Sequence, residues 1–267
     1  SGGLGDVYKR RQLDDWTALG AMAEVTERVQ FGGLVAATGY HNPHMMADRA
    51  RSLDHFSNGR FILGIGSGWN QRDYEEYGYE FGTAASRLKD LDRDMKIIMD
   101  RIDKLNPPPI QNPLPILIGG GGEKVTLKIA AQYADYTNFF GDLAEFTRKN
   151  EILKEHCRTV GRDEAEIVRS INVNVFIGET EVELNDRLEW YADHRIRVCG
   201  LPEAAVRREI DGLHGSVGCG TPEQVVERLA ALRRAGLGYT IAYFADAAYD
   251  TTSIDLFERA VIPELKG

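Results

Sequence analysis

The sequence predicts an α/β fold on a parallel sheet, of the (β/α)8 barrel type. Three observations lead there. Residues 114–118, Leu-Pro-Ile-Leu-Ile, run apolar without polar alternation, as a strand buried on both faces does. That strand and the one near 60–66 both open into glycines, Gly119 to Gly122 in one case and Gly64, Gly66 and Gly68 in the other. Strands alternate with amphipathic helices along the whole chain, which makes the sheet parallel and the crossovers right-handed. With 267 residues, 43% of them hydrophobic, the chain is large enough for one such core, read as a single domain over 13–267.

Taken in order, residues 1–12 are polar, glycine-containing and without periodicity, and are expected to be a loose or artefactual leader. Asp14 or Asp15 caps a helix to about Arg28, with Trp16, Leu19, Met22, Ala23 and Thr26 on one face. A strand is predicted over 29–37, where Gly32 and Gly33 mark a bulge or a close approach. Pro43 suits the first turn of a helix reaching about Phe56, and Ser57-Asn58-Gly59 turns the chain into the 60–66 strand. An acidic, tyrosine-rich loop follows, then a helix over about 84–105 that Pro107, Pro108 and Pro109 bring to an end.

Beyond the 115–119 strand and a helix over 125–134, a strand is expected at 135–140 and a helix at 143–160. Asp163 with Glu166 resembles a capping box. In the strand 171–177, Val173, Val175 and Ile177 alternate with Asn172 and Asn174. Residues 180–215 read as a charged helical excursion divided by Pro202. Thr221-Pro222-Glu223-Gln224 starts a helix that Gly236 ends, a strand follows at 239–244, and a helix over 254–265 closes the chain. Six strands are thus predicted where a closed barrel needs eight, so the missing pair is expected ahead of residue 14.

A net charge of -9 and a pI near 5.3 exclude nucleic acid and anionic membrane as the main partner. No run approaches the roughly 18 apolar residues of a membrane span, and no signal peptide is visible. Cys157, Cys199 and Cys219 are odd in number and widely spaced, which fits a reducing cytoplasm. His41 and His44 lack a third ligand of matching spacing, so no metal is expected. The Gly66-Ser67-Gly68 segment has no nucleophile-elbow frame.

The amides of Gly119 to Gly122, with a helix N-terminus behind them, form an anion site; a tight turn with nothing bound is the alternative. The segment 60–70 is not a dinucleotide fingerprint, because Trp69 stands where a glycine would be required. Two glycine-rich strand ends in one chain favour a shared ligand site at the strand C-termini.

The segments 57–70, 115–124 and 130–135, with 29–43, resemble the bacterial-luciferase-like oxidoreductases, and 104–109 with the four glycines resembles the branch that uses coenzyme F420. The resemblance implies a luciferase-like barrel and hydride transfer between F420 and a small organic substrate. The alternatives are an FMN-dependent monooxygenase using O2 and an inactive phosphate-ligand-binding barrel. The family begins with a strand, helix and strand that 1–12 does not supply, so the resemblance implies a truncated barrel lacking its first two strands, with exposed strand edges. It also implies that Leu34, Val35, Ala36 and Ala37 back the flavin ring at a bulge, that Gly66, Ser67, Gly68 and Trp69 border it, and that Gly119, Gly120, Gly121 and Gly122 hold the cofactor phosphate. Asn138 serves the polar edge of the ring or caps a turn; Asn174 is a weaker candidate, taken to face inward. His41 is a candidate proton donor or a surface loop residue. The partner expected is a small molecule, with a homodimer allowed.

Overall fold

The computed structural model describes residues 13–266, so the predicted leader at 1–12 lies outside the described residues. The described chain falls into two compact units, one made of Leu13–Phe139 with Lys149–Arg169, the other of Phe140–Arg148 with the chain from Ser170 onward.

The first unit opens with α1 (Asp15–Val25), whose N-cap Asp14 accepts from the Thr17 amide at 2.8 Å. The strand predicted over 29–37 reduces to β1 (Ala36–Ala37) and an isolated bridge between Phe31 and Phe61. Gly32 is the close approach expected there, since a Cβ on it would lie 2.2 Å from the Ile62 carbonyl oxygen. Next come α2 (Pro43–Phe56), with Asn42 as cap and Pro43 in its first turn, and β2 (Leu63–Gly66). The acidic segment predicted as loop contains a helix, α3 (Gln71–Tyr77). Asn70 caps it, Gly78 ends it at φ 75°, and Arg72–Glu76 and Gln71–Glu75 stitch its exposed side.

The longest helix, α4 (Ala84–Lys104), lies against α2, where Arg101 grips Asp48 through two bonds of 3.0 and 3.1 Å. That guanidinium holds the Asp48 carboxyl below its usual range. Then follow β3 (Ile116–Gly119), α5 (Thr126–Tyr133) and β4 (Tyr136–Asn138). Strands β1 to β4 are all parallel neighbours, in chain order. Trp16, Phe31, Phe61, Leu63, Ile65, Leu91, Met95, Ile98, Ile116 and Ile118 belong to one buried core between this sheet and its helices.

Polar residues fix the strand starts. Arg60 uses all five of its N–H donors, on the carbonyls of Ser57, Val29, Ala23 and Thr26 and on the Thr26 hydroxyl, at 2.7–2.9 Å. It thereby ties the end of α1 to the entrance of β2. Asp54 is fully buried and accepts from the Ile110 and Gln111 amides and the Gln111 side chain at 2.7–3.0 Å. Asp135 accepts from the Ile116 amide and donates its own amide to the Ile116 carbonyl, both at 2.8 Å, which aligns β3 with β4.

The chain continues through α6 (Leu143–Val160), β5 (Val168–Ile177), α7 (Glu181–Arg197), α8 (Glu203–Leu213), β6 (Cys219–Gly220), α9 (Pro222–Arg234), β7 (Leu237–Phe244), α10 (Thr252–Ala260) and α11 (Ile262–Leu265). Asp163 caps only a 3-10 turn at Glu164–Glu166, not a capping box. Strand β6 escaped the sequence reading because two residues carry no periodicity; it pairs with β5 in parallel, and β7 also pairs with β5. In the second unit Phe176, Leu184, Leu188, Ala192, Val206, Ile210 and Cys219 form a further buried core. The Gln224 side chain accepts from the Thr221 amide at 3.0 Å, as the start signal of α9 requires. No helix of the described residues is long and apolar enough to cross a membrane.

Three outcomes follow. Arg60→Met should lower stability by about 2–4 kcal/mol, because the part-buried carbonyls of Ser57, Ala23 and Thr26 lose a charged donor together. Lys96→Met, which removes an exposed pair with Asp92, should leave the thermal midpoint unchanged. Burial pushes the Cys157 thiol up and the Cys219 thiol up to about 11, so both stay as S–H at neutral pH. In the folded chain a thiol reagent at about pH 8 should therefore modify only the half-buried Cys199. Cys157 and Cys219 should react only after denaturation.

Candidate functional site

Ala36 and Ala37 pair with Ile65 and Gly66, Ile65 with Ile118, and Gly119 with Asn138. Because these four strands are parallel neighbours, their C-terminal ends lie along one edge of the sheet. That register brings together four of the segments nominated from the sequence, Leu34 to Ala37, Gly66 to Trp69, Gly119 to Gly122, and Asn138.

The segment before β1 crosses the neighbouring strands at very close range. A Cβ at Gly64 would lie 1.9 Å from the Gly33 carbonyl oxygen, and one at Gly66 would lie 2.7 Å from a Val35 methyl. One at Gly119 would meet both Val35 methyls at 3.0 Å. Val35 therefore sits on a floor of three glycines drawn from β2 and β3. The Leu34–Val35 peptide is cis. Leu34 and Trp69 are exposed by 46% and 62%, so this edge presents apolar surface.

Beside the floor lies an aromatic cluster. The Tyr74 ring is buried between Gly39 and Gly68, and its hydroxyl donates to the Ser67 carbonyl at 3.2 Å. Gly68 adopts φ +76°, a left-handed conformation in which a side chain would also strike that ring. Tyr40 packs edge-on against Tyr74 with centroids 4.9 Å apart, and Tyr77 and Tyr79 lie within 6.3 Å of Tyr40. Arg87 donates to the Gly68 and Phe81 carbonyls, both at 3.1 Å, with its guanidinium 3.7 Å from the Phe81 ring centroid. Burial pushes the Tyr40 phenol far above its ordinary range, so it remains an O–H donor at neutral pH.

His41 is neither a loose surface histidine nor aimed at a substrate. Its Nε2 accepts from the Trp16 indole N–H at 3.1 Å, so its Nδ1 carries the proton donated to the Ala37 carbonyl at 2.8 Å. Both nitrogens hold the loop after β1 in place.

At the four-glycine turn, Gly120 has φ +121° and its amide donates to the Asn138 carbonyl at 2.8 Å. The sheet thus takes that amide. Gly122 lies under Thr126, whose hydroxyl would be 2.8 Å from an added Cβ. The missing Cβ of Gly121 is replaced by a lysine: the Lys149 ammonium nitrogen lies 2.7 Å from that position. His156, seven residues along α6, donates through Nε2 to the Glu123 carbonyl at 2.7 Å. Asn138, the last residue of β4, is buried.

Asn174 does not face inward as expected. It is exposed between buried Val173 and Val175, and its carbonyl oxygen lies 2.4 Å from the position a Cβ on Gly218 would take. Sequence reasoning missed Lys149, His156 and the Tyr40–Tyr74 pair. Only the clustering of tyrosines after the 60–70 strand could have signalled the last.

The glycine floor is testable by compensation. Gly66→Ala should lose about 1–3 kcal/mol by overpacking against Val35. Adding Val35→Ala should recover part of that loss in denaturant unfolding; strictly additive losses would show that the two side chains do not share the space.

An uncharacterised protein of Mycobacterium bovis is 30% identical over 49% of this chain and 51% of its own length. The chain thus spans about half the length of such relatives. 4-Hydroxyprotoasukamycin monooxygenase of Streptomyces nodosus subsp. asukaensis is 26% identical over 92% of this chain and 76% of its own length. An F420-dependent secondary alcohol dehydrogenase, solved with an F420-acetone adduct, superposes with a TM-score of 0.77 at 16% identity, over 96% of this chain and 86% of that one. Its likeness is one of fold: the parallel strands and helices are of the luciferase-like TIM-barrel type. The family model of luciferase-like monooxygenases matches residues 3–238, and the chain belongs to that family of oxidoreductases and monooxygenases.

Proposed function

We propose that this chain binds coenzyme F420 along the strand-end edge and serves hydride transfer to or from a small organic substrate. The observation that carries the reading is the convergence of the Val35 floor, the four-glycine turn and Asn138 on adjacent strand ends. Support for F420 over FMN comes from the proline-rich segment 104–109 with the four glycines, and from the F420-dependent neighbour in fold. The residues present fit such a group. The Thr38 hydroxyl, directly after β1, is buried without a hydrogen-bond partner. Bare backbone and a lysine face each other at Gly121.

The chemistry such a cofactor supplies when bound is hydride exchange between its ring carbon and a substrate carbon. The protein's part is orientation and exclusion of water. Val35, on its glycine floor, backs the ring, and Leu34 and Trp69 cover its apolar margin. The turn at 121–122 and the N-terminus of α5 receive the phosphate, since the Gly120 amide is already engaged. Tyr40, protonated at neutral pH, is placed to donate a hydrogen bond to a substrate oxygen. The surrounding Tyr77, Tyr79 and Trp69 suit an apolar or aromatic organic substrate.

The second reading is a monooxygenase using reduced FMN and O2, which the alignment to the Streptomyces enzyme over 92% of this chain supports. Titrating the purified chain with F420 and with FMN, followed by absorbance and fluorescence, separates the two. The F420 reading expects saturable binding at least about tenfold tighter than FMN. Tighter FMN binding favours the monooxygenase, and binding of neither defeats both.

A further inference from the structure

We infer that His41 is a proton-sensitive positioning residue: as a neutral ring it ties α1 to the turn that carries Tyr40, and its protonation releases that turn. The consequence for a bound cofactor rests on the reading above, whereas the response of the turn does not. His41 closes the turn in three ways. Its backbone amide donates to the Thr38 carbonyl at 3.1 Å. Its Nδ1 donates to the Ala37 carbonyl at 2.8 Å, and its Nε2 accepts from the Trp16 indole N–H at 3.1 Å. Only the neutral ring can make both side-chain bonds, because an imidazolium carries N–H on each nitrogen and has no acceptor left. The indole cannot adapt, since it is a donor only. Trp16 is also held in place, buried 6.4 Å from the Phe61 ring centroid and with the Arg49 guanidinium 5.5 Å above it. Protonation therefore sets two N–H groups against each other where α1 meets the turn.

The turn has little slack. The His41 and Tyr40 rings lie 5.0 Å apart, and a Cβ on Gly39 would lie 2.2 Å from the Tyr74 hydroxyl oxygen. A shift of His41 is thus passed to Tyr40, which packs edge-on against Tyr74.

Among the described residues, four helices bring charged or titratable groups to this contact. From α1, Asp14 acts on His41 and Asp15 on Tyr40. From α2 come Arg49 and the exposed His44. From α3, Asp73, Tyr74 and Tyr77 act on Tyr40. From α4, Arg87 and Asp90 act on Tyr74, and the buried Asp94 accepts from Arg93 at 2.8 Å. Two bonds from Thr17 hold the Asp14 carboxyl below its usual range, and burial keeps the Tyr40 phenol protonated. Neither changes charge where histidines ordinarily titrate, between about pH 5 and 8. Burial pushes the Asp73 and Asp94 carboxyls up, so these two and His44 are the groups that controls must separate from His41.

The test follows the indole N–H resonance of Trp16 in the full chain, assigned by its absence in Trp16→Phe, from about pH 8 to about pH 5. The proposal expects that resonance to move upfield in one transition, as a donor losing its acceptor does. The His41 ring nitrogen shifts should pass from the Nδ1–H tautomer to the imidazolium over the same range. His41→Gln, which takes up no proton there, should abolish the transition, while His44→Gln, Asp73→Asn and Asp94→Asn keep it. If His41→Gln does not fold, the ring nitrogen shifts of the parent carry the comparison. A Trp16 resonance that stays put while His41 charges overturns the proposal. So does a ring that stays neutral throughout, or a control that loses the transition. FMN and F420 are then titrated at both ends of the range. Relative to His41→Gln, which shares the cofactor's own titration, the parent should bind about twofold to tenfold more weakly at the acid end, the span that one lost hydrogen bond gives. An equal acid response in both chains overturns the action of His41 on the site. Binding of neither probe at the alkaline end defeats the cofactor reading, and the Trp16 resonance alone then decides the role of His41.

Discussion

The structure of the first unit depends on the absence of side chains along a narrow strip. Segment 32–36 has to cross the ends of two parallel strands at backbone contact distance. Gly32 against Ile62, Gly64 against Gly33, and Gly66 and Gly119 against Val35 make that crossing possible. A methyl group at any of these points would force the segment away from the sheet. The same contacts set where Leu34 and the loop after β1 stand, and so fix the edge on which the candidate site is assembled.

Around this strip, charged and polar residues act as fasteners. Arg60 gathers the end of α1, and Asp54 holds the proline-rich connection by its amides. Asp135 registers β3 with β4. These groups lie at the opposite ends of the strands from the glycine turn, which separates stability from chemistry in the way barrel folds do. His41 belongs with the fasteners despite its place in the loop after β1, because Trp16 and Ala37 occupy both of its nitrogens.

Much of this was legible in the sequence. Apolar runs ending in glycine gave β2 and β3, and Pro43 in a first turn and the cap at Thr221 gave the starts of α2 and α9. The four nominated segments did come together at one edge. What stayed hidden has physical causes. Two-residue strands such as β1 and β6 have no period to detect. Helix α3 is only seven residues long and is held by its caps and charge pairs, not by an apolar face. Asn174 was assigned the wrong face because its apolar neighbours Val173 and Val175 were taken to surround it, whereas a strand turns alternate residues to opposite sides. Lys149 was invisible because its relation to Gly121 spans 28 residues and exists only after folding.

The glycine floor also alters how relatives of this chain should be compared. Since Gly64, Gly66 and Gly119 are demanded by packing, a descendant that abandoned its cofactor would still lose stability by replacing them. Their retention in a lineage therefore reports ancestry.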